Sequence, residues 1–186
     1  MNIEINEKGQ NEMNPRLATL IGILLVAALF RVLPHPPNVA PIAAMALFAG
    51  AYFTDRKLAF VLPFAALLLS DLVLGFHSSM VFVYGAFAAT VVMGLALQAH
   101  RRPLPILGAA LGSSVLFFVV TNFGAWLSHD MYPKTIEGLM AAYTAGIPFF
   151  RNTVAGDLLF VALFFGGFAL AERYIPALRE QRAATA

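Results

Sequence analysis

Residues 70–79 read Ser70-Asp71-Leu72-Val73-Leu74-Gly75-Phe76-His77-Ser78-Ser79. This stretch places a carboxylate, Asp71, inside an apolar run and ends the run in a turn that contains His77. A charged side chain in the hydrocarbon of a bilayer costs roughly 2.5–3.5 kcal/mol on insertion scales. Asp71 therefore needs polar partners at its own depth. The stretch predicts a polar cluster within an otherwise apolar bundle of helices.

The composition indicates a membrane protein. The chain has 186 residues, of which 60% are hydrophobic and 12% are charged, and its mean hydropathy is +0.77. Soluble domains carry about 25% charged residues. The net charge is +2, but lysine and arginine stand between apolar runs, a pattern that orients membrane helices and predicts no nucleic-acid partner. The absence of cysteine excludes disulfides and thiolate nucleophiles.

Six apolar segments predict an all-α membrane domain at residues 17–175, with six transmembrane helices in a single bundle. A spanning helix needs about 20 residues, within a range of roughly 17–25. The predicted spans are residues 17–33, 38–53, 58–76, 80–98, 105–127 and 152–174. The second span is short and rich in alanine, which favours a packed position inside the bundle. Residues 1–16 and 176–186 are predicted to be tails, the first of them disordered.

The distribution of lysine and arginine predicts the orientation of the bundle. With the N-terminus inside, nine of these residues are cytoplasmic: Lys8, Arg16, Arg56, Lys57, Arg101, Arg102, Arg173, Arg179 and Arg182. Three are outside: Arg31, Lys134 and Arg151. Both termini are therefore expected in the cytoplasm. The long outer connection at residues 128–151 carries apolar residues at helical spacing, which predicts an interfacial or lid helix at residues 135–145 between the fifth and sixth spans.

Four polar side chains fall in the outer half of the predicted spans. These are Arg31, Asp71, Asn122 and Asp157. One interpretation is a water-accessible cavity that opens outward and holds a polar solute. The alternative is that Arg31 pairs with Asp71 or Asp157 and that the set only fixes helix packing. Charges inside membranes usually pair and usually mark function, so the pattern leaves both interpretations open.

The predicted substrate-binding set adds polar and aromatic residues from the outer loops and helix ends. It comprises Arg31, His35, Asn38, Asp71, His77, Tyr84, Asn122, Trp126, Arg151, Asn152 and Asp157. Imidazole binds several transition metals, but the outer histidines lack a partner three or four residues away. We therefore assign no metal site, no resident cofactor and no catalytic residue. Nucleotide-binding loops and nucleophile elbows are also absent from the sequence.

Four segments carry a family resemblance. They are Pro34-His35-Pro36-Pro37-Asn38-Val39-Ala40-Pro41-Ile42-Ala43-Ala44-Met45-Ala46-Leu47-Phe48, Ser70-Asp71-Leu72-Val73-Leu74-Gly75-Phe76-His77, Met131-Tyr132-Pro133-Lys134-Thr135 and Ile147-Pro148-Phe149-Phe150-Arg151-Asn152-Thr153. From about Arg31 to Phe164 the chain resembles a family of uncharacterised bacterial inner-membrane proteins. That family is similar in size and layout to the S components of energy-coupling-factor (ECF) vitamin transporters, including the solitary cobalamin type.

This resemblance implies a bacterial inner-membrane location and a vitamin-sized ligand under the outer loops. Cobalamin is one candidate substrate, with His77 as the side chain that would approach its cobalt. A coupling-factor transmembrane subunit and ATPases are the implied partners, docking on the small residues at positions 18–22 of the first helix.

Three functions follow from these observations. The leading hypothesis is a substrate-binding component of a membrane transport system for a small, vitamin-like solute. The second is a membrane-embedded enzyme that uses Asp71 or His77 as an acid or base, because burial can bring a carboxyl into a useful range for proton transfer. The third is a non-catalytic scaffold of a membrane complex.

Overall fold

Helices form the whole of the regular structure in the computed structural model, which describes residues 14–180 and contains no strand within them. The elements are α1 (Pro15–Val32), α2 (Ile42–Tyr52), α3 (Arg56–Leu74), α4 (Met80–Ala96), α5 (Pro103–Ser128), α6 (Ile136–Val161) and α7 (Gly167–Tyr174). A π-helical turn, Ala162–Gly166, joins α6 to α7 without a break, and a 3₁₀ turn, Pro176–Leu178, follows. The predicted all-α class is confirmed.

Within residues 14–180, four helical runs are long and apolar enough to cross a membrane, judged by length and composition. They are Pro15–Val32, Arg56–Leu74, Pro103–Ser128 and Ile136–Tyr174. The other two helices are shorter, since α2 has 11 residues and α4 has 17. At 1.5 Å per residue, α2 is about 17 Å long, against a hydrocarbon thickness of about 30 Å. The chain is thus a multi-pass helical protein of membrane type, but the prediction of six full-length spans is not confirmed.

The second predicted span begins late because its first residues form a turn. Asn38 has a φ of 62°, and the Val39 amide donates to the Pro36 carbonyl at 3.0 Å. Proline at the second position and a left-handed asparagine at the third are the requirements of a type II turn. Pro41 then restricts the residue before it to extended conformations. Residues 33–41 therefore form a non-helical segment, and α2 starts only at Ile42.

The predicted lid helix is not a separate element. Thr135 caps α6, its hydroxyl accepting from the Gly138 amide at 3.2 Å, as the pattern predicted for a helix start. The helix then continues past residue 145, where the prediction ended it, and through Pro148 to Val161. Proline inside a helix removes one hydrogen bond and favours a break. Here α6 continues through Pro148 without interruption, and Pro148 and its two neighbours are exposed.

The core is built around α2, which packs against α1, α3, α4, α5 and α6. Every residue from Ala43 to Tyr52 is buried. Glycines let α2 and α4 touch, because a Cβ on Gly50 would lie 2.3 Å from the Val91 carbonyl oxygen and one on Gly94 would lie 2.4 Å from that of Leu47. The predicted packing of this small-residue helix inside the bundle is confirmed. Large apolar side chains such as Leu25, Val26 and Val73 are exposed on the outer surface, as expected of a membrane-facing exterior.

One end of the bundle, here called the arginine end, is joined by ion pairs. Arg16 pairs with Glu172 and donates to the Leu178 carbonyl, and Arg101 pairs with Glu180. Both guanidinium groups stack over the ring of Tyr52, at 5.8 and 5.0 Å from its centroid. Residues 15–16 and 176–178, predicted to belong to the tails, are therefore folded against the bundle. Residues 1–13 and 181–186 of those tails lie outside the described residues.

Candidate functional site

A cavity of about 700 Å³ lies at the opposite end, here called the histidine end, which holds the connections at residues 33–41, 75–79 and 129–135. Its floor is the first turn of α2, at Ile42 and Ala43, and its walls come from α1, α4, α5 and α6. The polar lining residues are Arg31, His35, Asn38, Ser79, Thr121, Asn122, Thr153 and Asp157. Sites for small ligands usually measure about 300–1,000 Å³, so the cavity has the size of a ligand site.

Arg31 forms one wall of the cavity and is held from behind. Its guanidinium pairs with Asp71 at 2.9 Å and donates to the Ser70 hydroxyl and to the Leu67 carbonyl. The Tyr84 hydroxyl donates to the second carboxylate oxygen of Asp71 at 2.8 Å. Of the two pairings that the sequence left open for Arg31, the structure forms the one with Asp71. Asp71 and Tyr84 do not line the cavity; they fix the position of the arginine that does.

Asp157 lies on the wall formed by α6, and its buried carboxylate has fewer and weaker polar partners than that of Asp71. Its carboxylate accepts a hydrogen bond from the Ser114 hydroxyl at 2.6 Å, and the residue is only 3% exposed. Within residues 14–180 it makes no ion pair with an arginine, lysine or histidine. A buried carboxylate without a cation is costly. The polar cluster that the sequence predicted is therefore split into a paired half around Asp71 and an unpaired half at Asp157.

The wall formed by α5 and α6 offers acceptors and aromatic rings. The Asn122 side-chain amide donates to the Phe118 carbonyl at 2.8 Å, and the Thr121 hydroxyl donates to the Phe117 carbonyl at 2.7 Å. The Thr153 hydroxyl likewise donates to its own helix, at 3.2 Å. The two hydroxyl protons and one of the two N–H groups of Asn122 are thus used within the helices, while the side-chain oxygens keep lone pairs that can accept hydrogen bonds. The rings of Phe117, Phe118 and Phe149 supply the apolar part of the lining.

The segment at residues 33–41 forms the remaining wall and is held by α6. The Asn152 amide donates to the Pro37 carbonyl at 3.0 Å. One turn later, a Cβ on Gly156 would lie 3.1 Å from Cα of Val39, so glycine lets the helix approach the segment. These contacts place His35 and Asn38 at the cavity. Asn152, predicted to bind substrate, thus positions the segment rather than lining the site.

Three further predicted residues, like Asp71, Tyr84 and Asn152, lie outside the cavity lining. The ring of His77 is hydrogen-bonded to the Ser79 hydroxyl at 3.0 Å, and the Trp126 indole donates to the Pro133 carbonyl at 2.9 Å. Arg151 is exposed on α6. Their role in binding stays a prediction. The Ser78 hydroxyl lies 3.3 Å from a ring nitrogen of His129, and the described part of the chain contains no group of three potential metal ligands.

Several lining residues were not predicted. Thr153 lies four residues before Asp157, on the same helical face, and Thr121 is next to Asn122, so extending the search by one turn would have found both. Ser114 could not be found this way. The role of Ser114 depends on its contact with Asp157 where α5 packs on α6. The two residues are 43 positions apart in sequence, and no local pattern indicates that they meet.

The fold and the cavity define the class: an all-helical protein of membrane type with a polar cavity at one end. Residues 11–178 match the model described as a family of unknown function, DUF6580, and the chain belongs to this family. No curated protein and no solved structure matches the chain. Membership of a family of unknown function is therefore confirmed, while the similarity to S components of ECF transporters stays a proposal.

Proposed function

We propose that this protein is the substrate-binding component of a membrane transport system and takes up a small, vitamin-like solute through the cavity at the histidine end. The observation that carries the proposal is the 700 Å³ cavity itself, lined by Arg31, Asn122 and Asp157 at one end of a bundle whose other half is packed with apolar side chains. A concave site with a few convergent polar groups is the usual form of a small-molecule site.

The shape of α2 supports solute binding over a purely structural role. Non-helical backbone at membrane depth is tolerated where it is buried in protein or lines a cavity, and broken helices form the substrate sites of many transporters. Residues 33–41 and the 11-residue α2 have this arrangement, with the segment on the wall and the helix start on the floor.

Below the cavity the bundle is filled, which supports a capture site rather than an open channel. Gly50 and Gly94 bring α2 and α4 into backbone contact, and Phe48 packs edge-to-face against Phe165 and Phe168. A solute bound at the histidine end would need a conformational change, or a partner protein, to move further.

The proposed topology has six crossings, with residues 33–41 and α2 together making the second. Arginine and lysine at the arginine end include Arg56, Lys57, Arg101 and Arg102, whereas the histidine end carries Arg31, Lys134 and Arg151. The positive-inside rule then directs the arginine end and both termini to the cytoplasm, and the cavity outward. The first turns of α6 would act as the lid-like element over the mouth. The family resemblance further implies that this membrane is the inner membrane of a bacterium.

An S-component-like role would add a coupling transmembrane subunit and ATPases, because the chain has no nucleotide-binding loop of its own. The exposed face of α1 is the proposed docking surface. Gly22 has open space beside it, and Leu25 and Leu29 are exposed. Cobalamin remains one candidate solute, but His77 does not line the cavity and so gives no reason to favour cobalamin over other vitamins.

The enzyme alternative is weaker. The carboxylate of Asp71 is engaged by Arg31 and Tyr84, and His77 is bonded to Ser79 outside the cavity lining, so these two residues do not form an acid–base pair. No observation favours the scaffold over the binding component.

Mass spectrometry of the gently extracted protein, combined with a thermal-shift screen of vitamins, tests the proposal. We expect a co-purifying solute that raises the melting temperature, since a ligand at 100 times its Kd stabilises by about 2.7 kcal/mol. Thr153→Trp, which fills the cavity, should abolish the shift. Val26→Trp, on the exposed face of α1, is the control and should retain it. The absence of both a bound solute and a shift from any vitamin would contradict the proposal.

A further inference from the structure

We infer that the solute bound in this cavity is a small organic cation and that the carboxylate of Asp157 binds its positively charged nitrogen. The inference rests on the proposed function, because it takes the cavity at the histidine end as the binding site and specifies the chemical class of its ligand.

The charges lining the cavity do not balance. Arg31, His35 and Asp157 are its titratable lining residues. The charge of Arg31 is neutralised by Asp71 at 2.9 Å, whereas Asp157 makes no ion pair within residues 14–180. With Asp157 ionised and His35 neutral, the lining together with Asp71 behind it carries one net negative charge. A ligand with one positive charge would neutralise it.

In the part of the chain that the structure describes, the carboxylate of Asp157 accepts one hydrogen bond, and its donor is shared. The Ser114 hydroxyl lies 2.6 Å from the carboxylate of Asp157 and 2.9 Å from the carbonyl oxygen of Ala110. A hydroxyl has one proton, so it donates to one of these acceptors at a time. Asp157 is therefore left with acceptor capacity that the protein does not use, at 3% exposure and at the cavity wall.

The neighbouring polar groups also suit a donor-rich cation. The hydroxyl protons of Thr121 and Thr153 and one of the two N–H groups of Asn122 are bonded to their own helices, and the three side-chain oxygens can accept hydrogen bonds in the lining. A protonated amine has donors and no acceptor, and it matches such a wall.

The aromatic rings distinguish an organic cation from a metal ion. Phe117, Phe118 and Phe149 line the same cavity, and phenyl faces attract ammonium groups through cation–π interactions. A hard metal cation instead takes six to eight oxygen ligands at about 2.3–2.6 Å, or six at about 2.0–2.1 Å, in a compact shell. A cavity of about 700 Å³ with one carboxylate does not provide that shell.

Titration of the purified full-length chain in detergent with matched probes at pH 7 tests the inference. The probes are 2-phenylethylammonium against 2-phenylethanol, and choline against 3,3-dimethyl-1-butanol, which have similar shapes and differ in charge. Sodium chloride is titrated separately. The variant is Asp157→Asn, which retains an acceptor for Ser114. The control is Asp130→Asn, which removes an exposed carboxylate at the same end.

We expect at least one cation to bind about 30-fold or more tightly than its neutral partner, because a buried hydrogen-bonded charge pair is worth at least that factor. Asp157→Asn should abolish this preference, and Asp130→Asn should retain it. Equal binding of cation and neutral probe, or a preference that survives in Asp157→Asn, would overturn the inference while the cavity still qualifies as a binding site. Stabilisation by sodium chloride that depends on Asp157 would overturn the organic ligand in favour of an inorganic one. No binding of any probe, together with no co-purifying solute, would overturn the proposed function as well.

Discussion

Asp71 and Asp157 are equally buried, at 3% exposure each, and differ in everything that surrounds them. Asp71 accepts from a guanidinium and a phenol, so each of its oxygens has a strong donor. Asp157 accepts from one serine hydroxyl that is shared with a backbone carbonyl. Burial alone therefore does not identify a functional carboxylate. The difference lies in compensation: the paired aspartate holds a wall in place, and the unpaired one offers its charge to the cavity.

The largest effect is expected for Arg31→Met, which leaves Asp71 buried and unpaired. Breaking a buried ion pair from one side costs about 3–5 kcal/mol. The free energy of unfolding in mixed micelles, measured by titration with SDS, should fall by that amount. Arg151→Met, an exposed arginine at the same end, should change it by less than about 0.5 kcal/mol.

A double variant sharpens this prediction. Arg31→Met combined with Asp71→Leu removes both charges and should recover most of the lost stability, because an apolar pair can replace a buried ion pair at little cost. If Arg31→Met alone were neutral, Asp71 would not depend on Arg31, and the contrast between the two aspartates would not hold.

A smaller loss is expected for Tyr84→Phe, which removes the second donor to Asp71. Hydrogen bonds to charged groups contribute about 1.5–3 kcal/mol. The matched control is Tyr143→Phe, whose hydroxyl donates to the neutral carbonyl of Val119 at 2.7 Å and should contribute about 1 kcal/mol. The same unfolding measurement applies. Equal losses in the two variants would show that the charge of Asp71 does not strengthen its hydrogen bond with Tyr84.

For Asp157, the variant Ser114→Ala should lower the free energy of unfolding by about 1 kcal/mol. This is less than the loss of a full charge-assisted hydrogen bond, because the Ser114 hydroxyl is shared between two acceptors. Ser113→Ala is a close control, since Ser113 is also buried and donates to the same Ala110 carbonyl at 2.9 Å without touching Asp157. The difference between the two variants isolates the bond to Asp157. Equal costs for the two variants would indicate that the Ala110 carbonyl, and not Asp157, is the main partner of Ser114.

The smallest effect on stability is expected for Asp157→Asn, a change of less than about 0.5 kcal/mol or a slight gain. Asparagine accepts from Ser114 as aspartate does, and the substitution removes an uncompensated buried charge. Thermal melting without ligand measures it. A loss above about 2 kcal/mol would mean that Asp157 has a structural role comparable to that of Asp71.

Local sequence patterns were sufficient to predict the bounds of four helices. The apolar runs predicted α1, α3, α4 and α5 to within a few residues, because burial in a membrane requires long apolar helices. They failed where two signals compete. Residues 146–151 were predicted to lie in a connection, yet α6 runs through them and through Pro148. The second span was predicted to begin at residue 38, yet the turn at Pro37 and Asn38 delays the helix to Ile42.

Five of the eight polar residues that line the cavity were also predicted from the sequence. Arg31, His35, Asn38, Asn122 and Asp157 were predicted and line the cavity. Asp71 was predicted as a binding residue and instead supports Arg31. Asp71 was singled out because it is an isolated carboxylate in an apolar run. Such a pattern indicates that burial of the charge is costly, but it does not identify the residue that pairs with it.

The sequence by itself determined that the chain is an apolar helical bundle whose few polar side chains within the spans lie towards one end, because hydrophobic runs and scarce charges are properties of local composition. Only the tertiary structure decided which aspartate is neutralised. That depends on which helices meet: α1 packs on α3 and brings Arg31 to Asp71, while α6 packs on α5 and brings Asp157 only to Ser114. Ion pairing requires atoms within about 4 Å, and a one-dimensional pattern does not contain distances between helices.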